Sequence, residues 1–283
     1  MSEQTIVVTG ASSGIGRAIA LYFAQRGWAV FGGVRKAADA EALRQAHADI
    51  TPIFLDVTDA AQVAEAVETV SARLGERGLD ALVNNAGVAV PAPVAVIPLE
   101  ELRRQFEINV MGVVAVTQAF LPLLKQRGRG STIVNISSTS ARMSSPLTGA
   151  YSASKMALEG LNDSLRIELR PWGVRVVSVQ PGPVTTPIWE KTVADSERVL
   201  ARIAPEQLAP YQPLIDFVRA RALRDPHFPA ERVARVVFGA VTSRAPRVRY
   251  LVARNAAGYW LLHALPPAWR DALFALVLPR WGK

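Results

Sequence analysis

Tyr151 and Lys155 stand four positions apart in a stretch that reads as helix, Ser138 lies thirteen residues before the tyrosine, and Asn109 lies further back. Side chains at i and i+4 leave the same face of a helix one turn apart, so phenol and ammonium are neighbours. A phenol titrates near 10 when unperturbed, and a general acid or base works best near the operating pH. Tyr151 therefore needs a shift of about three pH units, or about 4 kcal/mol. Lys155 supplies part of it by favouring the phenolate, and the Ser138 hydroxyl can donate to a substrate oxygen. The set predicts a proton relay acting on a carbonyl or an alcohol. Tyr-x-x-x-Lys also arises by chance in many helices, with the tyrosine a half-buried anchor and the lysine solvated, so the reading depends on what else the chain carries.

The other end carries a β-branched run, Thr5 to Thr9, then Gly10, Ala11, Ser12, Ser13, Gly14, Ile15 and Gly16, then a helical pattern up to Gly27. Strand, glycine turn and helix in that order make a phosphate site. Gly10 allows a sharp turn, Gly14 and Gly16 allow close backbone approach, and the helix N-terminus offers unpaired N–H groups and a favourable dipole. An ordinary strand-to-helix turn shares part of this pattern; the flanking elements favour a pyrophosphate.

To position such a site, strand-like runs recur at 5–9, 28–34, 51–56, 79–84, 131–137, 174–180 and 248–252. Helical patterns lie between them at 15–26, 38–48, 59–77, 99–127, 150–171 and 230–243. Alternation of this kind predicts an α/β fold, a Rossmann-like doubly wound parallel sheet of about seven strands in a single domain over 1–283. Within it, 1–190 is read as the cofactor-binding and catalytic core, 191–229 as a substrate-covering segment, and 230–283 as the last helix, last strand and an apolar tail. Asp56, Asn85 to Gly87, Ser138 and Pro181-Gly182 all fall at carboxyl ends of strands, where open α/β sheets bind ligands.

The spacing TGxxxGxG, with Asp56-Val57, Asn84-Asn85-Ala86-Gly87, Asn109, Ser138, Tyr151 with Lys155, and Pro181-Gly182 in that order, resembles the classical short-chain dehydrogenase/reductase family over about residues 5–190. Its branch acting on hydroxysteroids, retinol and other lipophilic alcohols or ketones looks most similar. The resemblance implies hydride transfer between a nicotinamide and a carbonyl carbon, with Tyr151 exchanging the oxygen proton and Ser138 orienting the substrate oxygen. The family's thirteen-residue spacing to the tyrosine selects Ser138 over Ser137. It also implies that Lys155 binds the nicotinamide ribose and that Asn109 holds a water linking Lys155 to solvent, although Asn109 also reads as a polar residue kinking a long helix. Asp56 and Val57 would contact the adenine, Asn85, Ala86 and Gly87 the adenosine ribose, and Pro181, Gly182, Val184 and Thr186 the nicotinamide carboxamide. Asp56 also reads as a helix cap, for which Thr58 or Asp59 is better placed. Phe31-Gly32-Gly33-Val34-Arg35-Lys36 has no acidic side chain at the strand end, and Arg35 favours NADP(H) over NAD(H) by pairing with the extra phosphate.

Composition narrows the rest. The chain has no cysteine, and its three histidines, His47, His227 and His263, are scattered, so thiolate catalysis is excluded and no metal is expected. Residues 1–190 carry 17 basic and 17 acidic side chains and 191–283 carry 15 and 7. Arg221, Arg224, Arg232, Arg235, Arg244, Arg247, Arg249 and Arg254 belong to that basic third. They read as a solvated surface or an attraction to anions, and no nucleic-acid module is visible. Val184, Ile188, Trp189, Val193, Leu200, Leu208, Tyr211, Leu214 and Phe217 either line an apolar site for a small lipophilic substrate or pack the cover onto the body. The apolar tail from Tyr259 to Trp281 is too interrupted to span a bilayer; it docks on the body or a partner subunit, or makes a peripheral membrane contact. The N-terminus reads as lacking a leader, which makes cytoplasmic the expected address. The long patterns at 99–127 and 150–171 suit a homodimer or homotetramer, which the resemblance also implies. Two rival functions remain: a catalytically silent dinucleotide-binding sensor or scaffold, and an epimerase or dehydratase.

Overall fold

The computed structural model describes residues 4–185, 188–224 and 228–278. Seven strands lie side by side, all parallel: β1 (Thr5–Val8), β2 (Ala29–Val34), β3 (Ile50–Phe54), β4 (Ala81–Asn84), β5 (Thr132–Ile136), β6 (Arg175–Pro181) and, as the last in the sheet, β9 (Arg249–Val252). Their spatial order is β3-β2-β1-β4-β5-β6-β9. All seven expected strands form, with ends within two residues of those read from the sequence.

Both faces of the sheet are covered, which explains why its strands are apolar on both sides. Ile6, Val8, Ala81, Val83, Val134, Ile136, Val177 and Val179 point into one core with α1 (Gly14–Ala24), α2 (Ala37–Ala46) and α10 (Ala230–Thr242). The alternate residues Val7, Leu82, Ile133 and Val176 point into the other, with α3 (Ala60–Leu74) and α5 (Gly112–Arg127). Period-2 alternation thus divides one apolar run between two cores. Phe23 knits the first, its ring 5.0 Å from Trp28 and 5.1 Å from Phe238, edge to face.

The pattern at 99–127 is one axis in three parts: α4 (Leu99–Phe106), a single π turn at Glu107–Met111, and α5. Its length and composition would suit a membrane span, but half of its most apolar stretch is buried against the rest of the fold. α6 (Gly149–Glu168) carries the tyrosine and lysine.

Beyond β6 lies more helix than the sequence reading assigned: β7 (Val184–Thr185), α7 (Ile188–Leu200), α8 (Pro205–Leu208) and α9 (Gln212–Arg224), with β8 (Phe228–Pro229) pairing β7. Leu200, Leu214 and Ile215 close a third apolar cluster over Val90, Ala92, Ile97, Leu147 and Ala150, with Leu208 and Tyr211 packed against it. These cover residues therefore do pack the cover onto the body. The chain ends in α11 (Ala256–Ala264) and α12 (Pro267–Val277).

Candidate active site and dinucleotide cleft

Connections from β1 run toward β2 on one side and those from β4 toward β5 on the other, so a crevice opens at the carboxyl ends of these two neighbours. Gly10 and Gly14 sit there with φ of +65° and +57°, in the left-handed region that a side chain resists. A Cβ on Gly16 would stand 2.2 Å from the Gly10 carbonyl oxygen and 2.4 Å from Asn85 Nδ2. Gly16 is thus required first by the protein's own backbone, whereas the sequence reading assigned its approach to a phosphate. Ser12 is half-buried and Ser13 exposed, and Ile15 packs inward on the first core. Ser13 holds the N-cap position of α1 without a side-chain cap bond, and no acidic residue occupies the first turn. This cradle, with N–H groups at a helix start and no competing carboxylate, fits a pyrophosphate.

Thr9, which sequence reasoning passed over, braces the loop. Its hydroxyl accepts the N–H groups of Asn85 and Ala86, each at 2.9 Å, while Asn85 Nδ2 donates to the carbonyls of Thr9 at 2.9 Å and Gly10 at 3.1 Å. The Asn85 side chain is therefore engaged with the glycine loop. A Cβ on Gly87, just beyond, would lie 3.1 Å from Asn109 Oδ1 and 3.5 Å from Lys155 Nζ, so these three residues converge.

Asn109 is buried at the π turn. Its Oδ1 accepts Val88 N–H at 2.8 Å, and its Nδ2 donates to the Val88 carbonyl at 2.8 Å and to Ser154 Oγ at 3.0 Å. The side chain clamps the segment after β4 against α6. Lys155 Nζ, also buried, donates to the carbonyl of Ile136 at 2.9 Å and lies 5.9 Å from the centre of the Tyr151 ring. Ser138 caps the short turn after β5 by accepting Ser140 N–H at 3.0 Å, and its hydroxyl proton is left for the Tyr151 phenol.

The electrostatics depart from the sequence reading in one respect. Burial raises the Tyr151 phenol above its ordinary value and the Ser138 hydrogen bond lowers it, burial being the larger influence. The lowering expected from Lys155 does not prevail, because leaving water disfavours both charged forms. Burial pushes the Lys155 ammonium down to about 8, opposed by the negative charge of Glu159.

Glu159 is the residue the sequence reading lacked, although it stands one more turn along the series Tyr151, Lys155, Glu159. It is buried, accepts Ser178 Oγ–H and takes Arg249 Nε at 2.8 Å, while the same arginine reaches Asp163 at 2.6 Å. Burial raises the Glu159 carboxyl, but the donors from Ser178 and Arg249 outweigh it and hold the group below its usual range. Arg249, counted with the solvated basic third, is instead a half-buried ion-pair partner of Glu159 and Asp163 fixing β9 to α6. Leu147 was missed too: it takes φ +65°, rare for a bulky residue, and its carbonyl accepts Ala92 N–H at 2.8 Å just before α6.

Arg35 is exposed at the end of β2 and reaches Asp56 at 3.4 Å. Asp56 also accepts both the N–H and the hydroxyl of Thr58, and Asp59 is the cap of α3, accepting Ala61 and Gln62 N–H. Val57 is buried against Gly112. Pro181 ends β6, Gly182 N–H bonds the Val252 carbonyl at 2.8 Å, and Val184 is buried in β7. Thr186 lies outside the described residues, as does His227. Among the described residues no cluster of His, Asp and Glu suits a metal ion.

The short chain dehydrogenase family profile matches residues 4–197. An NADPH-dependent 3-dehydrocapnine reductase of Ornithobacterium rhinotracheale is 39% identical over 95% of this chain and 95% of its own. Retinol dehydrogenase 5 of Mus musculus is 36% identical over 99% of this chain and 90% of its own. Among solved structures, a short chain dehydrogenase/reductase from Burkholderia phymatum in complex with NAD superposes with a TM-score of 0.76 and 29% identity, over 92% of this chain and 93% of that one.

Proposed function

The chain belongs to the short-chain dehydrogenase family, and on that premise we propose that it interconverts a lipophilic ketone or aldehyde and the corresponding alcohol with NADP(H). Oxidoreduction of an alcohol or carbonyl is the family's chemistry; the substrate type, the dinucleotide and the residue roles are the proposal. The observation that carries it is the meeting of Tyr151, Ser138 and buried Lys155 beside Gly87, where the glycine cradle opens. The dinucleotide, when bound, supplies the hydride and the acceptor for it.

The cradle from Gly10 to Gly16 would hold the pyrophosphate, and Arg35 the extra phosphate. Support for NADP(H) comes from that arginine and from the relative whose name specifies NADPH, while the NAD complex of the other relative keeps NAD(H) a measurable alternative. During reduction the Tyr151 hydroxyl, held protonated by burial, would give its proton to the substrate oxygen, and Ser138 would fix that oxygen in place. Lys155, cationic below about pH 8, would favour the phenolate left behind and restore its proton. Support for a lipophilic substrate comes from the apolar side chains, Val90, Leu147, Leu200 and Ile215 among them, that meet under the cover, and from a relative named for retinol. The exposed Met111 of the π turn and Met156 and Ile167 of α6 suit a homodimer or homotetramer, and the proposed address is cytoplasmic.

The test is a spectrophotometric screen of ketones and secondary alcohols with all four nicotinamide dinucleotides, repeated with Tyr151→Phe. Turnover that prefers NADP(H) and vanishes in the variant, with cofactor binding retained, supports the reading. A variant that stays active removes Tyr151 from its role, and dinucleotide binding without any turnover favours a silent sensor.

A further inference from the structure

We propose that α11 and α12 form a docking face for an anionic lipid surface, placed beside the turn that carries Ser138. Why such docking would serve the enzyme rests on the lipophilic-substrate reading above; the docking itself does not.

On α12, Trp269, Leu273, Leu276 and Val277 are 66%, 43%, 82% and 56% exposed. They occupy i, i+4, i+7 and i+8, a single helical stripe. A helix on a protein surface ordinarily turns such a stripe inward. Here Leu278 packs on the body while the stripe stays exposed, as do Leu261 and Leu262 of α11. Neither helix can cross a bilayer: they have 9 and 11 residues, against the roughly 20 a span requires, and Pro266-Pro267 separates them. Short helices with an outward apolar stripe and a tryptophan lie in the plane of the interface.

Charge selects the occupant. From residue 253 onward the sequence has Arg254, Arg270, Arg280 and Lys283 against Asp271 alone. Phosphate headgroups complement that balance. A second copy of the same segment carries the same excess of positive charge in its sequence and so would not.

Position ties the face to the site. On α11 the Tyr259 phenol bonds the hydroxyl of Thr139, the residue after Ser138. Ala253, just before α11, lies against Gly182, and Leu278 packs on the cluster that holds the cover. The two helices therefore touch both the catalytic turn and the substrate cover. An apolar substrate dissolved in lipid would be delivered beside that turn.

The experiment is co-sedimentation of the full chain with vesicles of phosphatidylcholine alone and with added phosphatidylglycerol, at low and high salt. The wild type is expected to pellet with the anionic vesicles and less so at high salt. Leu273→Glu with Leu276→Glu should bind about tenfold more weakly or worse, with an unchanged unfolding midpoint. Should that pair disturb folding, Leu276→Asn at the most exposed position replaces it. Sedimentation velocity without lipid tests the rival occupant. A wild type that ignores both vesicle types, or a variant that binds them equally well, overturns the proposal, as does a stripe variant that merely dissociates an oligomer. Vesicle binding by a protein that reduces no ketone would leave the docking standing and remove the enzymatic reading.

Discussion

Replacing Lys155 by Met should change how stability responds to pH in a way that its structural surroundings alone would not. In the fold the ammonium titrates at about 8, against an ordinary lysine value of 10.5. The unfolded chain therefore binds the proton more tightly, and folding with Lys155 charged carries a cost of about 3 kcal/mol, since one pKa unit is worth about 1.4 kcal/mol. Between pH 8 and 10.5 the unfolded state binds more protons, so wild-type stability gains with rising pH through this window. Below 8 the penalty is fully present; above 10.5 it is gone. The methionine variant has no such term. It also loses the hydrogen bond to the Ile136 carbonyl, an offset that does not vary with pH. Taking the difference between wild type and variant at each pH cancels that offset and every ionisation the two share. Urea unfolding at pH 7 and pH 10 should show the wild type gaining about 2–3 kcal/mol relative to the variant. A difference constant within about 0.5 kcal/mol, or a gain by the variant, would refute the burial argument.

Three further outcomes are expected. Gly16→Ala pushes a methyl into the Gly10 carbonyl and Asn85, and should destabilise the fold by about 1–3 kcal/mol and weaken dinucleotide binding, read by calorimetry. Arg35→Ala should raise the KM for NADPH about tenfold and leave that for NADH nearly unchanged; an equal effect on both would remove Arg35 from phosphate selection. Glu159→Gln withdraws a negative charge from Lys155, so the pH above which reduction slows should fall by about one unit, and an unmoved profile with altered stability would make Glu159 structural only.

The alternating runs made the sheet legible because a strand buried on both faces has to be apolar throughout, and the glycine, serine, tyrosine and lysine spacings located the crevice at its carboxyl edge. Less was legible where a residue's role depends on a distant partner. Asn85 faces the glycine loop because Thr9 and Gly10 present carbonyls to it, a relation spanning some seventy residues. Arg249 reads as one more basic surface residue until β9 is placed beside β6, which sets it opposite Glu159 and Asp163. The direction of the Tyr151 shift also escaped the sequence, since charge proximity can be counted along a helix but desolvation requires knowing what lies above it. Glu159, by contrast, was within reach of the same i+4 rule that found Lys155.

The π turn between α4 and α5 inserts one residue of phase, about 100° of rotation, into what would otherwise be a single helix. On an uninterrupted helix Asn109 would share its azimuth with Val116 and Phe120, which pack in the core under the sheet; with the extra residue it turns toward Val88 and Ser154 while they keep their places. Two selective demands, one for packing and one for the site, are thereby separated along one polypeptide axis. Substitutions that repack the α5 face can accumulate without re-aiming Asn109, whereas deletion of a single residue within 107–111 would oblige the chain to give up one alignment or the other.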